Sequence, residues 1–476
     1  MNKQKSQLYI NDVRTWLSFF FLVRLIGITN APLEIGHNWR QALTNMTARN
    51  FHENGIDILH PMIDMAGEKT GILGSEFPFF NSLIAIVADV FGYEHWYGRL
   101  INLIVSTIGI YFFYKLLRLY LSEKVAFYSS IVLCCSIWFG FSRKIMPDTF
   151  SVALVIIGLY FAFSYLNKGK LWRLILFFVF GTLGILCKIP ALALLSVLVV
   201  VPFLKNTPIH RKSGVIAASI VAFTLVCTWY FYWVPYLVDT YQFELYINKG
   251  FRLGWTEIMG MKKDTLEKFY FSAFHSYAAL LCFLVGLYYT VKTKSTLLLL
   301  AAATYTVVFG LFIIITGDVF PKHSYYIIPF VPLMAIPIGL FLANLPKKYA
   351  LVLMVGIFIE SFANQQHDFF IKDSEKYKLS LEKLVEETIP KDDKIIINGG
   401  SSPQSIYFSH RKGWTVETNE TLQSNYIDSL TKLGANYLII DKRASENAIY
   451  HYQKARSNVS YDIYKLEVNP NLSIGY

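Results

Sequence analysis

The chain reads as an α-helical polytopic membrane protein with about eleven membrane-spanning helices, a large first outer loop and a small C-terminal extracytoplasmic α/β domain. Three observations predict this class. Of 476 residues, 54% are hydrophobic and only 16% charged, with a mean hydropathy of +0.40. Apolar runs of roughly 17–25 residues recur, the length that crosses a bilayer core. Beyond about residue 363 the composition turns polar, and short apolar runs end in turn residues.

Lys3, Lys5 and Arg14 place the N-terminus in the cytoplasm. The first span, about residues 15–29, contains Arg24. A charge at that depth pairs with another span, meets an anionic lipid group, or snorkels. Residues 31–98 follow as the first outer loop, with Glu34, His37, Trp39, Arg40, Arg49, Asp57, Asp64, Glu68 and Glu76. Loops this long are functional or disordered, and aromatic content with helical spacing predicts an ordered one. Within it Phe77–Phe91 is apolar but short, begins near Pro78 and contains Asn81 and Asp89. Laid in the interface rather than across the bilayer, it leaves Lys115, Arg118 and Lys124 on the inner side.

Further spans then fall at about 98–117, 125–142, 149–166, 171–187, 190–204, 213–235, 270–291, 296–316, 325–345 and 348–362. The remaining inner turns collect Lys168, Lys170 and Arg173, then Lys205, Arg211 and Lys212, then Lys292 and Lys294, and last Lys347 and Lys348. Residues 1–362 thus form a membrane domain, and residues 363–476 an exported α/β domain tethered by the last span. In that tail DDKIIINGG and LGANYLIIDKR predict buried strands, while 401–409 and 419–433 have helical periodicity. Asn398–Gly399–Gly400 after a strand hints at nucleotide binding, though a plain strand-end turn explains it as well. The N-x-S/T sites at Asn45, Asn419, Asn458 and Asn471 would face outward.

The net charge of +11 fits cytoplasmic turns and lipid headgroups, and nucleic acid is not an expected partner. All five cysteines lie in apolar runs, so neither a disulfide framework nor a Cys metal motif is implied. No internal repeat, low-complexity tract or Gly-rich phosphate loop stands out.

Positive charge at outer helix ends runs against the inside bias and asks for a cause. Arg99, Arg143, Lys144, Lys188 and Lys322 all sit there. Such side chains would bind an anionic ligand at headgroup level, such as a lipid phosphate. For any one of them, snorkelling is the ordinary alternative. Three carboxylates stand at the same level: Asp148 in RKIMPDTF, Glu76 between Gly74 and Pro78, and Glu34 just beyond the first span. A carboxylate there serves as general base toward a hydroxyl or amine, or as a metal ligand; Asp148 after Pro147 also reads as a helix cap. His275 and His323 with Glu76 make a candidate divalent-metal site, though no spacing motif enforces it and interfacial histidines need none. Trp39, Trp96, Trp229, Trp233, Trp255, Tyr325 and Tyr326 fit an interface belt, from which one or two could stack on a sugar.

Taken together, residues 10–345 resemble the membrane glycosyltransferases of the C-type fold, in the branch of protein O-mannosyltransferases and lipid A aminoarabinose transferases. TARNFHENGIDILHP resembles that family's first outer loop, and GSEFPFFNSLIAIVADVFGYEHWYGRLINLIVS its following segment. MPDTFSVAL resembles the acidic site of the second loop, and KHSYYIIPFVPLMAIPIGL the late Tyr-Pro-Pro span. The resemblance implies a polyprenyl-phosphate sugar donor, an acidic first-loop residue at the acceptor, basic residues on the donor phosphate and, in some members, a divalent metal ion. Carried over, Glu76 and Asp148 match acidic positions, Tyr325 the late aromatic and Lys322 the basic position before it. The family's acidic pair, counted back from Ala48–Arg49, falls here on Arg40–Gln41. Glu34 substitutes from upstream, the register differs, or the chemistry is altered or lost.

The expected protein is therefore a hexosyl- or pentosyltransferase of the cell or inner membrane, moving a sugar from a polyprenyl-phosphate donor to a lipid, glycan or protein acceptor on the outer face. A transporter or flippase of lipid-linked sugars is the first alternative, and a protein whose tail is the working part the second. Transporters tend to carry internal repeats and broken polar mid-membrane helices, whereas here the polar residues cluster at the outer surface.

Overall fold

The computed structural model describes residues 12–34, 36–243, 249–445 and 450–467. Lys3, Lys5 and Asn471 lie outside the described residues. Helix α1 (Val13–Arg24) starts where the Asp12 carboxylate accepts the Arg14 N–H. Its twelve residues are fewer than a perpendicular span needs, because the chain turns away at Gly27, whose φ is +66°. Arg24 is buried and donates to the Cys134 carbonyl at 2.9 Å. Contact with another helix is thus the outcome among its three readings.

Residues 31–98, expected as the first outer loop, are ordered by α2 (Asn38–Asn54) and α3 (Phe79–Phe91). On α3, Phe80, Ile84 and Ala88 are buried while Ile86, Val90 and Phe91 are exposed. One apolar side packs on the protein and the other is exposed, the pattern expected of an interfacial helix.

The bundle follows with α4 (Tyr97–Leu117), α5 (Glu123–Cys135), α6 (Pro147–Lys168), α7 (Leu171–Cys187) and α8 (Ile209–Thr228). Helix α6 is its axle, enclosed on nearly every side. Pro147 pre-sets its first turn, and Gly158 lets α7 close in: a Cβ there would stand 2.9 Å from the Gly181 nitrogen. Helices α9 (Tyr277–Lys292), α10 (Thr296–Thr316), α11 (Val331–Ala343) and α12 (Lys347–Gln365) complete it.

Among the described residues, four helices are long and apolar enough to cross a membrane, or five if Lys262–Ser272 and Tyr277–Lys292, bent by 90°, are one span. Helical segments occupy the other expected places; Leu171–Cys187 and Lys347–Gln365 are unbroken over the expected residues, and the rest are shorter or interrupted. Pro190 and Pro202 help break 190–204 into 3₁₀ turns, Ser136 divides 125–142, and the Pro329–Pro332 region divides 325–345. Hydrophobicity counts residues and does not register such breaks.

The C-terminal residues form a five-stranded sheet of order β2-β1-β3-β5-β4, from β1 (Lys394–Ile397), β2 (Gly413–Thr415), β3 (Ala435–Asp441), β4 (Gln453–Ser457) and β5 (Tyr461–Lys465). The first three strands are parallel, joined through α14 (Gln404–Ser409) and α15 (Ser424–Lys432), and the last two are antiparallel. Helix α13 (Leu381–Glu386) precedes them. Strand periodicity sends Ile396 and Leu438 to one face, over Ile427 and Leu430. Ile395, Ile397 and Ile439 point the other way, into a core shared with Leu33, Leu43 and Met46 of the outer loop. At the sheet edge, the Gly413 N–H donates to the Asp64 carbonyl at 3.1 Å. The loop and the sheet are therefore built on one core.

Candidate active site

Ser75–Phe77 is pinned on both sides. The Trp229 indole donates to the Ser75 carbonyl at 3.0 Å, and the Phe77 N–H donates to Leu186 at 3.1 Å. Glu76 is thereby aimed at two cations. Arg40, in the first turn of α2, donates to its Oε2 at 2.7 Å, and Lys188, at the end of α7, donates to Oε1 at 2.7 Å. Burial pushes the Glu76 carboxyl up, but the Arg40 and Lys188 charges and hydrogen bonds outweigh it and hold it well below the usual carboxylate range.

Asp148 stands in the first turn of α6, 4% exposed, with Oδ1 4.0 Å from the Lys188 ammonium. Its Oδ2 is buried and accepts no hydrogen bond among the described residues. On the far side of Lys188 lie the rings of Tyr325 and Tyr326, 5.8 and 5.6 Å away. His323 stacks on Tyr325 at 5.4 Å, and the His37 ring meets Tyr325 edge-on at 4.8 Å. Burial, then the Lys144 and His323 charges, push His37 down to about 3, so it is neutral at pH 7.

A second buried network adjoins the first. Glu34 accepts from Arg99 at 2.5 Å and from Gln41 Nε2 at 2.7 Å, while Gln41 Oε1 accepts the Ile145 N–H at 3.0 Å. Burial raises the Glu34 carboxyl, but the Arg99 and Lys144 charges and the two hydrogen bonds bring it to about 2.

The chain is similar in part of its sequence and in its fold to known proteins. Residues 75–233, which include Glu76, Asp148 and Lys188, match the dolichyl-phosphate-mannose-protein mannosyltransferase family. ArnT from Cupriavidus metallidurans superposes in its apo state with a TM-score of 0.66 at 13% identity, over 95% of this chain and 98% of its own. Bound to undecaprenyl phosphate, it does so at 0.64 and 12% over 97% and 99%. The oligosaccharyltransferase AglB from Archaeoglobus fulgidus, in complex with an inhibitory peptide and a dolichol-phosphate, gives 0.59 at 12% over 90% and 69%. The chain has the C-type membrane glycosyltransferase fold. No curated protein matches it.

Within this fold the expected site residues separate. Asp148, Glu76, Lys188 and Tyr325 come together with His323, and Glu34 with Arg99 sits in the adjoining network. Arg143 turns elsewhere, its Nη2 donating to the Ile26 carbonyl at 2.5 Å with the guanidinium 3.8 Å from the Phe369 ring centre, and its Nε and Nη1 buried without a hydrogen-bond partner among the described residues. Lys144 donates to the Gly36 carbonyl at 2.8 Å and pairs with Asp368 at 3.2 Å. Lys322 is 55% exposed and tied to Asp318 at 2.5 Å. A run of basic residues marks where cations are concentrated, but side-chain reach decides which of them share a ligand.

The expected metal set does not assemble. Both Glu76 oxygens are taken by cations, His323 packs among tyrosines, and the His275 ring lies on Phe271 at 5.6 Å beside a helix bend. A divalent cation does not fit between Arg40 and Lys188. Among the described residues, the group of three His or acidic side chains whose ligand atoms all lie within 4.8 Å of one another is Glu382, Glu386 and His410, at the sheet. Three members of the site escaped sequence reasoning as members of it, Arg40, His37 and Tyr326. Their signals were faint: a cation where the resemblance implies an acid, a His one residue after Gly36, and the Tyr doublet in KHSYY.

Proposed function

We propose that the protein is an inverting glycosyltransferase that moves a sugar from a polyprenyl-phosphate donor to an acceptor hydroxyl or amine on the outer face, with its N-terminus in the cytoplasm. The reading is carried by one observation, the uncommitted buried oxygen of Asp148 beside a lysine that shares the single charge of Glu76 with Arg40. Glu76 is too tightly held by Arg40 and Lys188 to take up a proton, and Glu34 too tightly by Arg99 and Gln41. Asp148 Oδ2 removes the acceptor proton. The acceptor lone pair then attacks the anomeric carbon from the side opposite the phosphate, and the carbon–oxygen bond breaks with its electron pair leaving on the phosphate. Lys188 meets that charge, and Tyr325 and Tyr326 form the wall of the donor pocket. Holding both substrates at headgroup level makes the encounter effectively unimolecular. Undecaprenyl phosphate in ArnT and dolichol-phosphate in AglB, proteins of the same fold, support this donor class.

The test is sugar release from polyprenyl-phosphate donors by purified protein, with wild type beside Asp148→Asn, Glu76→Gln and Glu34→Gln. Loss of a general base costs about 10²–10⁴-fold, and that loss is expected in Asp148→Asn. Wild-type turnover in Asp148→Asn sinks the assignment, and lipid binding without release over a panel of donors points instead to a transporter.

A further inference from the structure

At the end of the bundle opposite Asp148 lies a cavity of about 270 Å³ between α4, α6, α10, α11 and the 3₁₀ turns Ser196–Phe203. Its wall is almost wholly apolar, with Phe113, Phe163, Val200, Leu298, Ala301 and Ile336 representative. On α10 it runs from Ser295 to Tyr305, about 15 Å at about 1.5 Å per residue. That is a slot for a chain, not for a headgroup. Its mouth is marked by charge. Leu117, Leu204 and Ser295 line the cavity, and the residue next to each in sequence is an exposed cation, Arg118, Lys205 and Lys294. Arg118 is partly neutralised by Glu123 at 3.6 Å; Lys205 and Lys294 have no acidic partner among the described ion pairs.

We propose that this slot holds one acyl chain of an anionic glycerophospholipid of the inner leaflet, with its phosphate at Lys205 and Lys294. Basic pockets between helices on the cytoplasmic side take acidic headgroups, while the apolar wall excludes anything but hydrocarbon. A donor lipid tail is a poorer occupant. Phe163 stands about 22 Å along α6 from Asp148, at about 1.5 Å per residue, so a donor phosphate beside Lys188 leaves the cations at this mouth unused. The choice of leaflet and the exclusion of a donor tail rest on the reading proposed above; the slot and its cations do not, and the test reads no activity.

Native mass spectrometry in detergent, titrated with dioleoyl phosphatidylglycerol or phosphatidylcholine, measures retention by wild type, Ala301→Phe and the double variant Lys205→Gln/Lys294→Gln. Wild type is expected to prefer phosphatidylglycerol about 25-fold, at about fivefold per cation. The double variant, altered only at exposed positions, should bring the two lipids near parity. Ala301→Phe fills the slot and should lose both lipids without a change of melting temperature in lipid-free detergent. Equal retention of the two lipids by wild type, or undiminished phosphatidylglycerol in Ala301→Phe, overturns the proposal. So does one-for-one displacement by undecaprenyl phosphate, which would make the slot part of the donor site.

Discussion

The pairing around Lys188 predicts that two neighbouring carboxylates respond oppositely to neutralisation. Glu76, Arg40 and Lys188 have side chains only 16%, 12% and 7% exposed. In Glu76→Gln the two cations lose their counter-charge and face each other in a poorly hydrated space. Removing one member of a buried ion pair costs about 3–5 kcal/mol, and that is the expected loss of unfolding free energy in detergent micelles. Asp148→Asn removes no hydrogen bond from Oδ2, and the 4.0 Å pair with Lys188 is offset by no longer burying a carboxylate. Its stability should stay within about 1 kcal/mol of wild type, while sugar release falls by about 10²–10⁴-fold. Denaturant unfolding followed by tryptophan fluorescence, with single-turnover release on the same preparations, reads both quantities. An Asp148→Asn protein that is destabilised like Glu76→Gln yet still turns over would refute the division of labour.

Other consequences concern pH and the exposed cation. Glu34 sits at about 2 against about 4.3 for a free glutamate, so its contribution, of order 3 kcal/mol, is full above about pH 4.3 and lost as pH falls toward 2. Unfolding titrations should show Glu34→Gln less stable at pH 7 and flatter than wild type below pH 4.3. His410 donates toward Glu382 at 2.7 Å and Glu53 at 2.5 Å, and although burial lowers its affinity for a proton, these hydrogen bonds raise it. That stabilisation is complete below about pH 6.5 and lost as pH rises through the raised folded value. Proteolysis of the C-terminal residues should quicken at alkaline pH in wild type, and His410→Asn should be cut at similar rates throughout. Lys322→Gln, breaking an exposed pair with Asp318, should change stability by less than about 1 kcal/mol and leave sugar release near wild type; a collapse of release would return Lys322 to the donor phosphate.

What the sequence disclosed followed from periodicity and charge. Thr296–Thr316 and Leu171–Cys187 lie where their apolar runs end, and Phe79–Phe91 is a short helix with one exposed apolar side, because these segments have uninterrupted patterns and plain boundaries. Strands β1 and β3 were legible as apolar runs stopped by turn residues. Strand β4 is exposed at every position and polar at all but Ala455, so no pattern marks it, and β2 has only three residues, with Gly413 held against Ile395. The candidate site was half legible. Asp148, Glu76 and Lys188 announce themselves as charges at helix ends, but Arg143 and Lys144 are adjacent to the same elements and turn to Ile26 and Asp368 instead. Nothing in a linear sequence says which way a long side chain points. The shared core of loop and sheet was invisible for a related reason: Leu33 and Ile397 are 364 positions apart and neither belongs to a local pattern that names the other.

The substitution at Arg40–Gln41 makes physical sense once their partners are named. These positions, where the resemblance implies an acidic pair, instead hold a cation on Glu76 and an amide on Glu34. The negative charge has not left the site; it stands on neighbouring segments and the helix now grips it. If that is correct, restoring an acid to α2 should harm only while Glu76 is charged. Arg40→Asp alone adds a carboxylate to Glu76 and Asp148 around one lysine, and Glu76→Gln alone leaves two cations with only Asp148 nearby, each costing several kcal/mol. Combined, Arg40→Asp/Glu76→Gln returns one carboxylate to Lys188, so the double variant should be more stable than the sum of the two losses predicts. A coupling of about 1–3 kcal/mol in that direction is expected for residues in one network. Strict additivity would mean that Arg40 and Glu76 are held in place separately, and that the missing acid of α2 has no replacement in Glu76.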